Sequence, residues 1–389
     1  MSHPTADDVV AAALNLAPQI RAARDELEAT RQLPPSLVHT LAAAGLLQLH
    51  LPRSMGGWEL PPLTAFRAIE ALSKCDGSVG WCAMIATAFS LSAGWLRAEV
   101  GRTLCGQPPD LRVAGSIRPQ GQAYPVAGGY RIRGRWSFAS GIPHAHWLAC
   151  PCIVMEGERP RVTPDGTPET RDMWIPADAA TIEDTWSVVG MCGTGSHDFR
   201  VDDVFVPATH TFSLAEPAQE TGPLYQPRFF LVVVLTSTVG NALGIARGAL
   251  EAFVELATCT RSESSPTLLR DRPPIQTRVA KAEAILSAAR AYVVEAVGRA
   301  WQAMNEGAPD PSQAIAHARL AITHAMHEAV RVVDLVFHAA GTNAIYRKHP
   351  LERYFRDIHV AVQHAAGRPD HYESAGRVFL GLRPSGRGW

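Results

Sequence analysis

YRIRGRWSFASGIPHAHW, residues Tyr130 to Trp147, opens with a strict alternation: Tyr130, Ile132, Gly134 and Trp136 against Arg131, Arg133 and Arg135. Successive strand residues face opposite ways, so the pattern predicts a strand with one dry face and one wet one. Trp147–Met155 and Phe199–Val206 read as further strands. Gly128-Gly129, Thr163-Pro164-Asp165-Gly166 and Gly193-Thr194-Gly195-Ser196 supply turns between them. Together they predict a compact antiparallel β-domain over residues 112–213.

On either side the texture is helical. Over residues 1–111, Leu14, Ile20, Leu27, Leu37, Leu41 and Leu46 recur at helical spacings, with a break at Pro34-Pro35. Pro61–Ser73 predicts another helix, and Ser78–Leu96 one so apolar that it belongs in an interior. Over residues 214–389, Val279, Ala282, Leu286, Ala289, Val293, Val297 and Trp301 form one apolar stripe. Ile315, Ile322, Met326, Val333 and Phe337 form a second, joined to the first by the turn-rich Gly307–Pro311. Two such helices predict an antiparallel bundle. The fold class is α+β, mostly α.

A chain of 389 residues with 47% hydrophobic content can bury several cores. With 19% charged residues and a net charge of -1, it lacks the basic surface that nucleic acid or an anionic membrane selects. MSHPTADDVV carries no basic region followed by an apolar one, so no secretory signal is expected. Uninterrupted apolar runs such as Leu231–Leu235 fall short of the ~20 residues that a bilayer span needs. The expectation is a cytoplasmic protein without nucleic-acid or membrane partners. Cys150 and Cys152 would share one strand face, but no second pair of ligands at zinc spacing follows. They read as buried structural cysteines, and no metal site is expected.

Common catalytic signatures are absent. Gly193-Thr194-Gly195 leads into a strand rather than a helix, so it is no Rossmann loop. There is no GxxxxGK[ST], HExxH or GxSxG. Histidines remain: His144 and His146 flank the second strand, and His359 and His364 lie in Arg353–Ala366. The latter two would sit about 140° apart on an ideal helix, poorly placed to share a metal. Surface or capping roles and proton transfer near neutral pH both stay open for them.

Four segments in order change the picture: Gly45–Glu59, Gly134–Trp147 (GRWSFASGIPHAHW), Trp186–Pro207 and His349–His364 (HPLERYFRDIHVAVQH). In this order the chain resembles the acyl-CoA dehydrogenase superfamily, and in detail its flavin-dependent monooxygenase branch of two-component aromatic hydroxylases and dibenzothiophene-type monooxygenases. The resemblance spans roughly residues 10–380. It implies an N-terminal helical domain, a central β-domain, a C-terminal four-helix bundle and a homotetramer.

The resemblance also implies a site. Ser140 matches a hydroxyl at the flavin N5/O4 edge, with Trp136 and Phe138 nearby. Gly193, Thr194 and Ser196 match a second flavin-proximal segment, and Arg261, Arg270 or Arg272 a phosphate-binding arginine. Gly341-Thr342-Asn343 matches a turn that reaches a neighbouring subunit's cofactor. Two departures bear on the class. The glutamate that removes an α-proton in the dehydrogenases is missing; the stretch reads Val362-Gln363-His364-Ala365-Ala366, and His364 fits the monooxygenase pattern as acid or base. Gly77-Ser78-Val79-Gly80-Trp81 matches a hydroxylase motif, but Phe89 stands where many relatives carry histidine. Trp81, Met84 and Phe89, with His144, are therefore expected to line a more apolar pocket. The implied activity is oxygenation of a small organic substrate, aromatic or natural-product in type. It would use O2 and reduced FMN, or FAD, supplied by a separate flavin reductase. The alternatives are a flavin dehydrogenase or oxidase acting on an amine or carrier-bound substrate, and a non-catalytic member of the fold.

Overall fold

A computed structural model describes residues 4–106, 110–261 and 267–385. Seven helices come first: α1 (Ala6–Asn15), α2 (Ala17–Ala22), α3 (Arg24–Thr30), α4 (Pro35–Ala43), α5 (Pro62–Cys75), α6 (Gly77–Ser92) and α7 (Ala98–Cys105). Proline at the first turn of α4 and of α5 explains where they start, since its missing N–H is unneeded there. Asp76 separates α5 from α6; its carboxylate accepts from the Ser78 and Val79 amides and caps α6.

Ten strands follow: β1 (Val113–Gly115), β2 (Gly121–Val126), β3 (Gly129–Trp136), β4 (Trp147–Ala149), β5 (Cys152–Glu156), β6 (Arg159–Pro160), β7 (Thr170–Pro176), β8 (Thr181–Glu183), β9 (Asp198–Pro207) and β10 (Thr211–Phe212). They form one sheet in the order β1-β4-β7-β5-β2-β3-β9-β8, with β6 added to β5 and β10 to β7. The alternation in β3 holds: Ile132 and Trp136 are buried while Arg131, Arg133 and Arg135 are exposed. Two details differ from the sequence reading. The pairs β1–β4 and β2–β5 are parallel within an otherwise antiparallel sheet. The single strand expected over Trp147–Met155 breaks at Cys150-Pro151, where proline cannot donate to a ladder; its halves flank β7 on opposite sides and pair in parallel with β1 and β2 respectively.

Among the described residues five further helices follow: α8 (Pro227–Cys259), α9 (Pro273–Asn305), α10 (Ser312–Ala340), α11 (Pro350–Ala361) and α12 (Asp370–Phe379). The first four of these form the bundle, and α12 lies on α10. A stripe of small residues sets the crossing of α8 on α5. A Cβ at Gly240 would lie 2.9 Å from the Phe66 carbonyl oxygen, one at Gly244 2.4 Å from that of Glu70, and one at Gly248 2.5 Å from that of Lys74. Backbone thus meets backbone, which no larger residue permits. Gly77–Trp95 and the whole of α8 are long and apolar enough by composition to cross a membrane. They are 78% and 83% buried inside the protein, so they are core helices. Their small and hydroxyl residues interrupt the apolar runs while the mean hydropathy stays high, which is why run length misses them.

Candidate active site

The turn after β3, the loop before β9, the first turns of α6 and the segment after α11 converge on a chain of hydrogen bonds. Trp81 Nε1 donates to Ser140 Oγ at 3.0 Å. Ser140 Oγ lies 2.7 Å from Ser196 Oγ, and Ser196 Oγ 2.7 Å from Thr194 Oγ1. Thr194 Oγ1 donates to the Met191 carbonyl at 2.8 Å. Ser140, Ser196 and Thr194 are all buried. Buried hydroxyls need partners, and these supply one another.

His364 completes the group. Its ring meets Trp81 edge-on, with centroids 5.3 Å apart at 85°. The residue is not on the helix: α11 ends at Ala361, and His364 caps the short turn Ala365–Gly367. The Ala366 amide donates to its Nδ1 at 3.3 Å, so Nδ1 is the bare nitrogen and Nε2 carries the hydrogen of the neutral ring. Although its edge stays partly accessible, loss of water around the ring holds its pKa down at about 4. His144 lies in the turn that follows Ser140, its Nε2 3.0 Å from where a Cβ on Gly141 would sit. Burial first, then the charge of Arg112, holds it at about 4, and its Nδ1 is buried without a hydrogen-bond partner.

Phe138 forms a shelf beside this chain. Its backbone is left-handed, with φ of 64°, and its ring is 60% exposed. A left-handed aromatic residue is costly and persists where its surroundings force it. Here the Ala139 amide donates to the His197 carbonyl and the Gly141 amide to that of Thr194, which pins the turn. Trp186 meets the Phe138 ring edge-on at 6.3 Å, and the Arg118 guanidinium lies 5.9 Å from it. Gln120 accepts from both the amide and the hydroxyl of Ser137. An exposed aromatic face next to a buried polar edge fits a planar flavin ring, whose faces are apolar and whose edge hydrogen-bonds.

Behind the site lies a buried charged group that the sequence reading did not single out. Asp357, 2% exposed, accepts from the Met191 amide at 2.6 Å. Met191 is itself left-handed, with φ of 57°. Asp76 is equally buried, and Arg353 lies 3.6 Å from it. Burial pushes the Asp357 carboxyl up, and the neighbouring Asp76 adds to the rise. Arg356 ties the same helix to Glu28 at 2.8 Å and to the Val189 carbonyl at 2.6 Å. The loop that carries Met191 and Thr194 is therefore clamped to α11 from two sides.

Of the residues singled out from sequence, the fold brings together Trp81, Phe138, Ser140, His144, Thr194, Ser196 and His364. Trp136 is a correction: it is fully buried in the β-domain, stacked on Phe199 at 5.2 Å, with Nε1 donating to the Pro151 carbonyl. Strand alternation from Ile132 sends it inward, whereas Phe138 lies past the strand end. Met84 is a second correction: it is 1% exposed, and its sulfur accepts from Thr238 of α8, so it packs between helices. Gly193 packs against Leu27 and Ser78 and is buried. Phe89 is half-buried against the main core, two turns beyond Trp81. Arg261, Arg270, Gly341 and Thr342 are exposed, and no hydrogen bond among the described residues joins them to this group. Arg118, Gln120, Trp186, Met191 and Asp357 were missed.

The acyl-CoA dehydrogenase N-terminal domain model matches residues 8–96, and the C-terminal domain model residues 237–369. The chain is 35% identical to indole-3-acetate monooxygenase of Pseudomonas putida, over 94% of this chain and 91% of that protein. It is 29% identical to HsaA of Mycobacterium tuberculosis, the oxygenase subunit of a flavin-dependent monooxygenase, with 97% of each chain covered. The crystal structure of HsaA from that organism superposes with a TM-score of 0.88, over 99% of this chain and 100% of that one, at 28% identity. XiaF from Streptomyces, solved with FADH2 and glycerol, gives 0.84 at 26% identity, over 97% and 96%. With the fold, the missing carboxylate at His364 and these relatives in agreement, the chain belongs to the acyl-CoA dehydrogenase superfamily, within its flavin-dependent monooxygenases.

Proposed function

We propose that this monooxygenase oxygenates a small aromatic substrate between the Phe138 shelf and His364, using reduced flavin brought by a separate reductase. The observation that carries the reading is Trp81, which donates to Ser140 on one side and packs on His364 on the other. One indole thus ties the hydroxyl proposed to hold the flavin edge to the His364 ring. Reduced FMN or FAD supplies the electrons that activate O2 when bound. The chain's own residues do the rest. Phe138 and Trp186 offer the ring face, Ser140 holds the N5/O4 edge, and the buried hydroxyls keep water from it. His364, neutral and with its hydrogen on Nε2, offers a donor that orients a substrate oxygen or passes it a proton. Trp81 and Phe89, with His144, present a largely apolar wall suited to an aromatic ring.

No carboxylate among the described residues hydrogen-bonds to Trp81, Ser140 or His364, which disfavours α-proton abstraction and with it the dehydrogenase alternative. The relatives' names favour an aromatic substrate and, through the term oxygenase subunit, a separate reductase. Arg261, Arg270 and the Gly341-Thr342 turn, exposed within one chain, would reach a flavin phosphate across a tetramer interface. The test is to load the protein anaerobically with reduced FMN or FAD, add indole-3-acetate and labelled O2, and follow the label. Label in an organic product is expected. Oxidation of the flavin with all the label recovered as peroxide or water, for every aromatic acid and phenol offered, would sink the reading.

A further inference from the structure

The hydrogen-bond chain at the site has a direction, and that direction follows from its two ends. An indole N–H only donates, so Ser140 Oγ accepts from Trp81 at 3.0 Å. A carbonyl oxygen only accepts, so the single hydrogen of Thr194 Oγ1 goes to Met191 at 2.8 Å. Thr194 can then meet Ser196 only as an acceptor, so Ser196 gives its hydrogen to Thr194 at 2.7 Å. Ser196 has none left for Ser140, so Ser140 donates to Ser196 at 2.7 Å. The order Trp81 to Ser140 to Ser196 to Thr194 to Met191 is the one arrangement that leaves no pair of lone pairs facing each other. Met191 is in turn fixed by Asp357. Ser140 has thus spent its only hydrogen inward and retains one lone pair.

We propose that Thr194 and Ser196 are specificity-determining residues: by fixing the direction of this chain they make Ser140 an acceptor, so that the site prefers the reduced flavin, whose N5 carries a hydrogen, over the oxidised flavin, whose N5 carries only a lone pair. The proposal rests on the reading above that Ser140 faces the flavin N5 edge. It concerns affinity rather than chemistry. Oxidised flavin at the same place sets two acceptors against each other unless the whole chain rotates, and rotation would unpair the buried Thr194 hydroxyl or the Met191 contact. An unpaired buried polar group is costly, so the preference has a physical source.

The test is anaerobic titration of the full chain with FMN, oxidised and dithionite-reduced, followed by flavin absorbance and protein fluorescence, and repeated with FAD. Wild type is expected to bind the reduced form more tightly. Thr194→Val keeps the branched shape but removes the anchor. Ser196 can then turn its hydrogen to Ser140, and Ser140 can turn its own outward. The ratio of oxidised to reduced Kd should fall by about tenfold, roughly the worth of one hydrogen bond. Thr194→Ser should restore it. Ser196→Ala, which deprives Ser140 of its inward acceptor, should act in the same direction and serves if the valine variant does not fold. An unchanged ratio in both variants, or tighter binding of oxidised flavin by wild type, overturns the proposal. Ser140→Ala separates the two levels. If it alters flavin affinity while Thr194→Val and Ser196→Ala leave the ratio alone, only the direction argument falls. If it alters neither affinity, Ser140 does not face the flavin and the site itself is misread.

Discussion

Asparagine and alanine at position 357 separate what the Asp357 carboxyl does by hydrogen bonding from what it does by charge. Asparagine keeps an oxygen for the Met191 amide, now 2.6 Å away, and removes an ionisable group from beside Asp76. In the native protein, burial first and Asp76 second hold the carboxyl above its ordinary value of 3.8. The unfolded chain loses that proton near the ordinary value, while the folded chain keeps it to higher pH. Between the two values the folded state binds more protons, so stability is fully present below the ordinary value and is lost as pH rises through the raised one. The loss runs at about 1.4 kcal/mol per pH unit crossed. Asparagine does not titrate, so its stability relative to wild type should climb with pH across that window and level off above it. Alanine leaves the Met191 N–H buried and unpaired at every pH. That costs about 1–3 kcal/mol, a fall in Tm of about 1–4 °C in a chain this long. Urea unfolding of the three proteins from pH 5 to pH 8 gives both numbers. An asparagine advantage that is flat or shrinks with rising pH would refute the claim that burial and Asp76 hold the carboxyl up. An alanine variant as stable as asparagine at low pH would refute the role of the Met191 contact.

Three further outcomes are expected. Trp81→Phe keeps a ring against His364 but deletes the donor to Ser140; product formed per O2 consumed should fall several-fold at a stability cost of only about 1 kcal/mol, and unchanged coupling would show that the indole N–H is idle. His364→Gln should abolish most oxygenation while leaving flavin affinity within about twofold. Because burial holds this histidine at about 4, any activity limb that requires its neutral form should appear as pH falls toward that value and not near 6.5, which a pH profile of oxygenation coupling would show. Gly80→Ala would place a Cβ 1.8 Å from Ser73 Oγ, where α5 and α6 touch. It should cost about 1–3 kcal/mol in thermal unfolding, and a loss below ~0.5 kcal/mol would mean that the two helices can part freely.

The helices and strands were legible because their signals are periodic. The alternation of β3 and the stripes of α9 and α10 repeat over several turns or residues, and burial reinforces each repeat. Where a signal depends on pairing it was lost. Nothing local in Trp147–Met155 says that its halves join different neighbours in parallel, because register is set by partners distant in sequence. The small-residue stripe of α8 was overlooked for a related reason. Glycine reads as a breaker in isolation, and its use at Gly240, Gly244 and Gly248 becomes visible only when α5 is laid on top.

The site divides along the same line, and the division says how it works. Resemblance names Ser140, Thr194, Ser196 and His364 one residue at a time, and the fold brings them together. What joins them is not legible in this way, since Trp81 and Ser140 lie 59 residues apart and Asp357 and Met191 166 apart. Trp136 went wrong for an instructive reason: it closes β3 just before the turn that carries Phe138 and Ser140, yet strand alternation carries it into the core, and the exposed aromatic ring is that of Phe138, past the strand end. Phe138 and Met191 are both non-glycine residues held left-handed. Each is followed within three residues by a hydroxyl of the chain, and each lies where side-chain or backbone bonds from another element pin the turn. Strain of this kind is costly and must be met by contacts elsewhere. Asp357, with its buried carboxyl and its bond to Met191, is the contact that meets it on one side. A site built this way aims its hydroxyls by anchoring the backbone behind them, so substitutions at Asp357 should disturb flavin recognition although that residue touches neither Ser140 nor His364.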